Sequence, residues 1–176
     1  VGSWLLLGAI VTTLSIEPTN VEQEDPCSTC TRCIDACPTD AITPWSIDAQ
    51  KCVSYLTIEH RSFVDSSFFT GFGEWVFGCD VCQEVCPHNQ PTEKGEQASI
   101  HSAYEPKLDS LDIAELLHWN EEQRKETLAG TSIKRAKLGM LRRNAVIVAG
   151  NLISSGNEDL LQLIQNIAKV DEDEMV

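Results

Sequence analysis

Apolar residues recur at helical spacing through the second half of the chain, from about residue 108 onward. Thr131 can cap a long helix and Asn157 can cap the last one, because their side chains accept backbone N–H groups at a helix start. The predicted inward-facing positions of these two helices are Ile133, Ala136, Met140, Leu141, Ala145, Val148 and Leu152, then Leu160, Leu161, Leu163, Ile164 and Ile167. The pattern predicts an all-α region with HEAT-like helix pairs over residues 108–176.

Two shorter helices are predicted ahead of these. Asp109 or Ser110 can cap a helix that runs through Trp119. Asn120, followed three residues later by Gln123, forms a capping pattern in which each side chain bonds the backbone N–H of the other residue.

The first half of the chain has no sustained helical period. Residues 1–26 combine an apolar run with an acidic, proline-bounded loop, and the β-branched stretch Ile10–Thr13 favours a buried strand or a strap across the cluster core. Residues 92–107 are polar and irregular, which predicts a linker between a module over 27–91 and the helical region. The predicted fold class is therefore α+β.

The cysteines of the module indicate its chemistry. They form two runs, and both runs end in the spacing C-x2-C-x3-C-P. The first run reads C-x2-C-x2-C-x3-C-P, a spacing that wraps one loop around a 4Fe-4S cluster and sends the fourth thiolate to a second cluster. Pro38 predicts a short helix directly after this run, since proline is tolerated in a first helical turn. The eight cysteines are Cys27, Cys30, Cys33 and Cys37, then Cys52, Cys79, Cys82 and Cys86.

Crossed ligation, as in two-cluster ferredoxins, assigns these thiols to two sets of four. The predicted ligands of cluster 1 are Cys27, Cys30, Cys33 and Cys86, and those of cluster 2 are Cys37, Cys52, Cys79 and Cys82. The module is thus predicted to be a ferredoxin-like domain with two 4Fe-4S clusters.

Two other uses of eight cysteines remain open at this point. Structural zinc also takes sets of four cysteines, but zinc modules usually separate two C-x2-C pairs by a dozen or more residues. A disulfide framework is typical of short secreted chains, and nothing near the first residue resembles a signal peptide. Three cysteines within seven residues favour a cluster over both.

An insertion of 26 residues separates Cys52 from Cys79, where a plain ferredoxin has two. It holds seven of the eleven aromatic residues of the chain: Tyr55, Phe63, Phe68, Phe69, Phe72, Trp75 and Phe77. These side chains predict either a hydrophobic shield that keeps water from the second cluster or a docking wall for a flat partner or cofactor.

Charge is distributed unevenly along the chain. The formal net charge is -14, and residues 1–91 carry three Lys+Arg against twelve Asp+Glu, which at first argues against nucleic acid. Residues 124–143 instead carry seven basic residues against the single acid Glu126. The apolar run at 4–14 has eleven residues, too few to span a bilayer. We expect a cytoplasmic, monomeric fragment of a larger protein, with no membrane partner and with a local positive face.

Several runs around these features resemble the C-terminal half of the epoxyqueuosine reductase family. The resemblance covers nearly the whole chain and is carried by flanking residues that a generic ferredoxin lacks. The runs are Gly2-Ser3-Trp4 with Leu7-Gly8, CIDACPT at 33–39, CVSYLTIE at 52–59, GCDVCQEVCP at 78–87, Gly130-Thr131 through Arg135, LRRN at 141–144 and Gly150-Asn151.

The resemblance implies a function and further site residues. The clusters would pass single electrons from an external low-potential donor to a cobalamin, whose reduced cobalt drives removal of the epoxide oxygen of epoxyqueuosine in a tRNA anticodon loop. The family carries its proton donor and most of its cobalamin surface on an N-terminal domain, so no catalytic residue is assigned here. The implied cobalamin-edge residues are Leu7, Gly8, Ser54 and Asp80. The predicted RNA contacts are Ser132, Lys134 and Arg135 by resemblance, and Arg142 and Arg143 by helical spacing on the same basic stretch.

Three residues depart from the family pattern. Ser28 and Asp40 stand where glycine is common, and Asp tolerates left-handed backbone geometry better than most residues. His88 follows Cys86-Pro87 where tryptophan is usual, and it is expected to be a half-exposed histidine near a cluster or a proton-coupled tuner of it.

Two functions of different classes follow from these patterns. The first is the electron-transfer and tRNA-binding half of a redox enzyme. The second is a free-standing ferredoxin-like electron carrier with a helical interaction domain.

Overall fold

A computed structural model of the chain describes residues 8–19, 25–90, 105–108, 110–154 and 159–170. Its regular elements are α1 (Arg32–Asp35), β1 (Ile42–Thr43), β2 (Ser46–Ile47), α2 (Val53–Ile58), α3 (Val81–Glu84), α4 (Ile113–His118), α5 (Glu121–Thr127), α6 (Leu138–Ser154) and α7 (Asp159–Val170). Short 3-10 turns cover Ser66–Phe68, Thr70–Phe72, Pro87–Asn89 and Ser132–Arg135. Within the described ranges, no helix has the length and apolar character needed to cross a membrane.

The two cysteine runs fold in the same way. Each contains a one-turn helix, α1 or α3, that is closed by a backbone bond from residue i+4, Ala36 N–H to Arg32 O at 3.0 Å and Val85 N–H to Val81 O at 3.2 Å. The two short helices pack against each other. This repeat brings the two runs together although 48 residues lie between Cys37 and Cys86 in sequence.

The short helix predicted after Cys37 is wrong. The chain forms a turn there, with Asp40 at φ 49°, and continues into β1, which pairs antiparallel with β2 through Ile42 opposite Ile47. The physical reason lies in the sulfur of Cys37, which accepts the N–H of Ala41 at 3.2 Å. An N–H used in this way is not available for a helical bond to the carbonyl four residues earlier.

The buried strand predicted near the start of the chain is also wrong for the residues that can be described. Residues 8–19 form no strand, and Ile10 and Val11 are 93% and 98% exposed. An apolar run indicates a preference for burial, but no described part of the chain offers a surface that covers it.

The aromatic insertion folds into α2 and two 3-10 turns and joins the cysteine module to the helical region. Phe72 is fully buried beside Val53, Leu56 and Val64, and this core is completed by Ile147 of α6. Cys79 packs against the same core, together with Phe68 and Trp75. Part of the insertion therefore shields a cysteine, as the shield hypothesis expects, while Phe63 remains largely exposed.

The helical region forms around a second core. Its buried members come from α4 to α7 and from the insertion: Val76, Leu116, Leu117, Trp119, Leu128, Ala136, Leu141, Ala145, Val148 and Ile167. Val76 shows that the insertion contributes to both cores. The predicted linker falls largely on residues 91–104, outside the described ranges.

The predicted helix caps have mixed outcomes. The capping box of α5 is confirmed, with Gln123 N–H donating to Asn120 Oδ1 at 2.9 Å and Asn120 N–H donating to Gln123 Oε1 at 2.8 Å. The cap of α4 is Asp112, which accepts the N–H of Glu115 at 3.0 Å, and not Asp109 or Ser110.

The later helices also differ from the prediction at their starts. Thr131 opens only the short 3-10 turn, and α6 begins at Leu138, because Ala136 turns to extended backbone between them. Leu161 of α7 is exposed and not inward-facing as predicted. Asn157, the predicted cap of α7, lies outside the described residues.

Candidate metal centres

Three cysteines of the first run share one cavity with the last cysteine of the second run. Cys27, Cys30 and Cys33 line a cavity of about 250 Å³ together with Cys82 and Cys86 of the second run. The loop closes through Cys30 N–H, which donates to Cys27 O at 2.8 Å, and Ser28 inside it has φ 44°. Ser28 and Asp40, which stand where glycine is common in the family, both have a positive φ.

His88 lies at the rim of this cavity. It is exposed, and its Nε2 is 3.0 Å from the carbonyl oxygen of Pro26. This contact ties the end of the second run to the residue that precedes the first.

The other four cysteines influence one another electrostatically. Burial raises the pKa of the Cys79 thiol, and the nearby Cys52 and Cys37 raise it further. Burial also raises the pKa of Cys82, with added effects from Cys79, Cys52 and, from the first run, Cys33. Since such charge effects require proximity, Cys52 and Cys37 lie near Cys79, and Cys79, Cys52 and Cys33 lie near Cys82.

Cys37 differs from its neighbours in its hydrogen bonds. Burial acts to raise its pKa, but the backbone N–H groups of Thr39, Ala41 and Ile42 donate toward the sulfur and hold the pKa below its usual value. The Ala41 bond is the one described above, and Thr39 Oγ1 lies 3.9 Å from the same sulfur. The turn after Cys37 therefore stabilises a thiolate, the form in which cysteine binds metal.

The backbone around Cys52 and Cys79 is held by one threonine. Cys52 is the N-cap of α2, and Cys79 follows Gly78, which has φ 78°. The buried hydroxyl of Thr57 donates to Val53 O at 2.8 Å and accepts the N–H of Gly78 at 3.0 Å. Gly78 permits this positive φ without a side-chain clash, so the chain can turn directly into the cysteine.

The donor set suits clusters of several metal ions. All eight cysteines are described and none forms a disulfide, which removes the disulfide alternative for this structure. Among the described residues, no three His, Cys, Asp or Glu side chains converge on a point that would hold a single metal ion. Five of the thiols, those of Cys27, Cys30, Cys33, Cys82 and Cys86, line one cavity, and thiolates are the usual ligands of 4Fe-4S clusters.

The implied cobalamin-edge residues flank the second group of cysteines. Ser54 lies in the first turn of α2, two residues after Cys52, and Asp80 directly follows Cys79. Both side chains are partly buried. Gly8 begins the exposed segment described above, and Leu7 lies outside the described residues.

The predicted RNA contacts divide into exposed and buried side chains. Ser132, Lys134 and Arg135 are exposed on the 3-10 turn before α6, and Arg135 forms an ion pair with Glu59, which follows α2. Arg142 is partly buried and donates to the carbonyl of Trp119 at 2.7 Å. RNA contact by Ser132, Lys134, Arg135 and Arg142 stays a prediction.

The predicted RNA contact at Arg143 is wrong. Its side chain is 3% exposed, and desolvation lowers the pKa of its guanidinium below the usual value. The guanidinium donates to backbone carbonyls of the cysteine module, as does the neighbouring Asn144, which is fully buried. The sequence offered one signal for this, because Arg143 and Asn144 interrupt an apolar stretch between Leu141 and Ala145.

A second apolar cavity lies on the outer side of the first cysteine loop. It has a volume of about 430 Å³ and runs between Cys27 and the β1–β2 hairpin. Trp45 at the hairpin tip is 81% exposed and has φ 66°, a left-handed conformation that is a genuine outlier for a bulky residue.

Known proteins match both the cysteine module and the chain as a whole. Residues 26–89 match the family described as a 4Fe-4S double cluster binding domain. The epoxyqueuosine reductase of Shewanella oneidensis is 35% identical over 176 residues, which cover 99% of this chain and 44% of the relative. That of a Synechocystis species is 38% identical over 150 residues, 82% of this chain and 50% of the relative.

Over most of its length the chain is similar to epoxyqueuosine reductases. It spans about half the length of the curated relatives it matches. Solved epoxyqueuosine reductases share its fold: one, crystallised with an epoxyqueuosine-modified tRNA-Tyr stem loop, has a TM-score of 0.69 at 27% identity, covering 90% of this chain and 49% of that one. Another, from Bacillus subtilis, has a TM-score of 0.66 at 26% identity.

Proposed function

We propose that this chain is the electron-transfer and tRNA-binding half of an epoxyqueuosine reductase. The observation that carries the proposal is the convergence of cysteines from both runs, with Cys27, Cys30, Cys33, Cys82 and Cys86 lining one cavity, in a chain whose relatives of about twice its length are epoxyqueuosine reductases. The reaction proposed is the reduction of epoxyqueuosine to queuosine in tRNA.

The proposed ligand sets are the crossed ones, Cys27, Cys30, Cys33 and Cys86 for cluster 1, and Cys37, Cys52, Cys79 and Cys82 for cluster 2. Support for the first set comes from the cavity that its four cysteines share, which Cys82 also lines. Support for the second comes from the effects of Cys37 and Cys52 on the pKa of Cys79. The matching folds of the two runs and the packing of α1 against α3 support a ferredoxin-like module over 27–91, with a HEAT-like helical domain over 108–176.

The two clusters have different surroundings. Cys27 and Cys30 are exposed, whereas the four proposed ligands of cluster 2 are partly buried. We place the external electron donor on the side of cluster 1 for this reason, and cobalamin beside cluster 2, where Gly8, Ser54 and Asp80 form the proposed edge together with Leu7. When bound, cobalamin supplies the reduced cobalt that removes the epoxide oxygen. The role of this chain is to hold the thiolates, exclude water around Cys79 and orient the substrate RNA.

The proposed RNA surface consists of Ser132, Lys134 and Arg135, with Arg142 at its edge. Support comes from their position on the exposed turn and from the solved relative that was crystallised with a tRNA stem loop. Lysine and arginine side chains contact phosphates without reading sequence, so this surface would position the RNA.

Four cysteine variants test the crossed assignment in the anaerobically reconstituted chain. We expect about eight irons and eight sulfides per wild-type chain, since each cluster contributes four of each. Cys86→Ala and Cys27→Ala should remove the same cluster signal in electron paramagnetic resonance, and Cys37→Ala and Cys79→Ala should remove the other. If Cys37→Ala and Cys27→Ala abolish the same signal, the ligand sets are not crossed.

The free-standing electron carrier is not favoured as a second candidate. Relatives that match over most of this chain are reductases, and they extend well beyond the matched segment. Restoration of epoxyqueuosine reduction by this chain within a full-length protein, and its loss in Cys37→Ala, would separate the enzyme from the carrier.

A further inference from the structure

The long helix α6 bonds the backbone of the cysteine module through a buried arginine and a buried asparagine. The guanidinium of Arg143 donates to Leu56 O at 2.6 Å, to His60 O at 2.9 Å and to Ser62 O at 2.6 Å. It also donates to Asn144 Oδ1 at 2.8 Å, which fixes the amide so that its Nδ2 points to the module. A planar fork with five donors is suited to several carbonyls at once.

The arginine acts at the helix that Cys52 begins. Leu56 N–H donates to Cys52 O at 2.9 Å, and Leu56 O accepts from Arg143. Both backbone groups of Leu56 are thus fixed, the N–H by the carbonyl of Cys52 and the C=O by Arg143. Because α2 is one and a half turns long, a shift at its last carbonyls is passed to Cys52 at its start.

The asparagine bonds backbone carbonyls near both cysteines. Asn144 Nδ2 donates to Thr57 O at 2.9 Å and to Val76 O at 2.9 Å, and so joins α2 to the segment that leads to Cys79. The Thr57 hydroxyl then holds the N–H of Gly78, the residue before Cys79. Two adjacent residues of α6 therefore fix the backbone on the approach to two thiols that lie more than 60 residues earlier in the chain.

We propose that Arg143 and Asn144 are positioning residues for the cluster held by Cys52 and Cys79, and that the buried charge of Arg143 raises its reduction potential. The inference rests on the proposed function, since it takes Cys52 and Cys79 as ligands of one cluster. A buried cation favours the more negative, reduced form of a nearby cluster, and cluster potentials respond to charge and hydrogen bonding in their surroundings. The helical domain thereby takes part in electron transfer as well as in RNA binding.

The decisive comparison uses Arg143→Met and a matched arginine that serves only the helical region. Arg124 is partly buried and donates from Nη1 to Lys134 O at 3.0 Å and to Ala136 O at 3.1 Å, so Arg124→Met removes an arginine with the same kind of contact away from the cysteines. Both variants are reconstituted anaerobically as the whole chain and titrated with redox mediators under electron paramagnetic resonance.

The affected cluster is identified as the one whose signal is removed by both Cys52→Ala and Cys79→Ala. For this cluster, we expect Arg143→Met to lower the ratio of the reduced to the oxidised form several-fold at a fixed potential. The direction follows from the loss of one buried positive charge, which acts more strongly in protein, at an effective dielectric constant of about 20, than in water. The other cluster should keep its ratio, and Arg124→Met should change neither. Arg143→Lys keeps the charge but loses the fork, so it should restore most of the ratio.

Asn144→Leu tests the positioning without a change of charge. It should alter the signal shape of the same cluster, and amide hydrogen exchange at Leu56 and Gly78 should accelerate in the chain without clusters. If Arg143→Met does not reconstitute, Arg143→Lys and Asn144→Leu carry the test through these signals. Unchanged ratios and exchange, or equal changes in both clusters, would assign Arg143 a purely structural role. Should Cys52→Ala and Cys79→Ala remove different signals, the proposed ligand sets fail instead.

Discussion

Gly71 of the insertion lies directly against the turn that follows Cys37, and replacing it with alanine should disturb that turn. A Cβ at Gly71 would stand 2.5 Å from Thr39 Cγ2 and 3.2 Å from Pro38 O. Overpacking of this kind costs about 1–3 kcal/mol, and the reduced freedom of the unfolded alanine chain returns about 0.4–1 kcal/mol. We expect a net destabilisation of about 1–2 kcal/mol, localised at the Cys37 loop.

A second substitution makes the cause testable. Thr39→Ser removes Cγ2, the nearest atom, and keeps the hydroxyl that lies 3.9 Å from the Cys37 sulfur. The double variant should therefore recover most of the loss, with Pro38 O the remaining close neighbour. In a double-mutant cycle the two changes should show a favourable coupling of about 1 kcal/mol, within the range seen for residues in contact.

The assay is the rate at which a chelator removes iron from the anaerobically reconstituted chain. If removal proceeds through local opening of the loop, about 1–2 kcal/mol corresponds to roughly 5- to 30-fold faster release in Gly71→Ala. The affected irons should belong to the cluster whose signal Cys37→Ala removes. Iron release from Gly71→Ala at the wild-type rate, or release from the double variant as fast as from Gly71→Ala alone, would refute the steric explanation.

Two further predictions concern the helical region. Lys134→Glu with Arg135→Glu should weaken tRNA binding by orders of magnitude in the full-length enzyme, with cluster absorption unchanged. Glu59→Gln should strengthen binding up to about fivefold, because Glu59 competes with phosphate for Arg135 in an exposed pair worth at most about 1 kcal/mol. Glu74→Gln makes the same change of charge elsewhere, and equal effects of the two glutamate variants would show that Glu59 does not compete for Arg135. Asn120→Ala should lower the free energy of unfolding by about 1 kcal/mol because it removes the capping box, which would be measured as a lower thermal midpoint. Asn120→Asp should keep most of the wild-type midpoint, and an unchanged midpoint in Asn120→Ala would mean that α5 is stabilised by its packing alone.

The features that could be predicted from the sequence are those set by residues close together in the chain. The capping box at Asn120 and Gln123 needs only a spacing of three, and it formed as predicted. The positive φ at Ser28 and Asp40 follows from the tight turns that the cysteine spacing requires.

The failed predictions each depend on a distant or unusual partner. The apolar segment around Ile10 signals burial, but the covering surface is not given by the segment itself. Pro38 is compatible with a first helical turn, yet the sulfur of Cys37 takes the N–H of Ala41 that a helix would have used. Trp45 has a left-handed conformation that nothing in its local sequence requires.

Arg143 shows why the sequence pattern predicts the wrong environment for a basic residue on a long helix. The prediction treated α6 as amphipathic, with apolar residues inward and basic residues on a solvated face. The helix is in fact buried on two sides, with Leu141 and Val148 in the core of the helical region and Ile147 in the core of the insertion. A residue between these faces points to protein and not to water, and a buried charge must then find hydrogen-bond partners. Arg143 finds them in carbonyls 81 to 87 residues earlier, so its role depends on how the two halves of the chain are packed, which its own sequence neighbours do not specify.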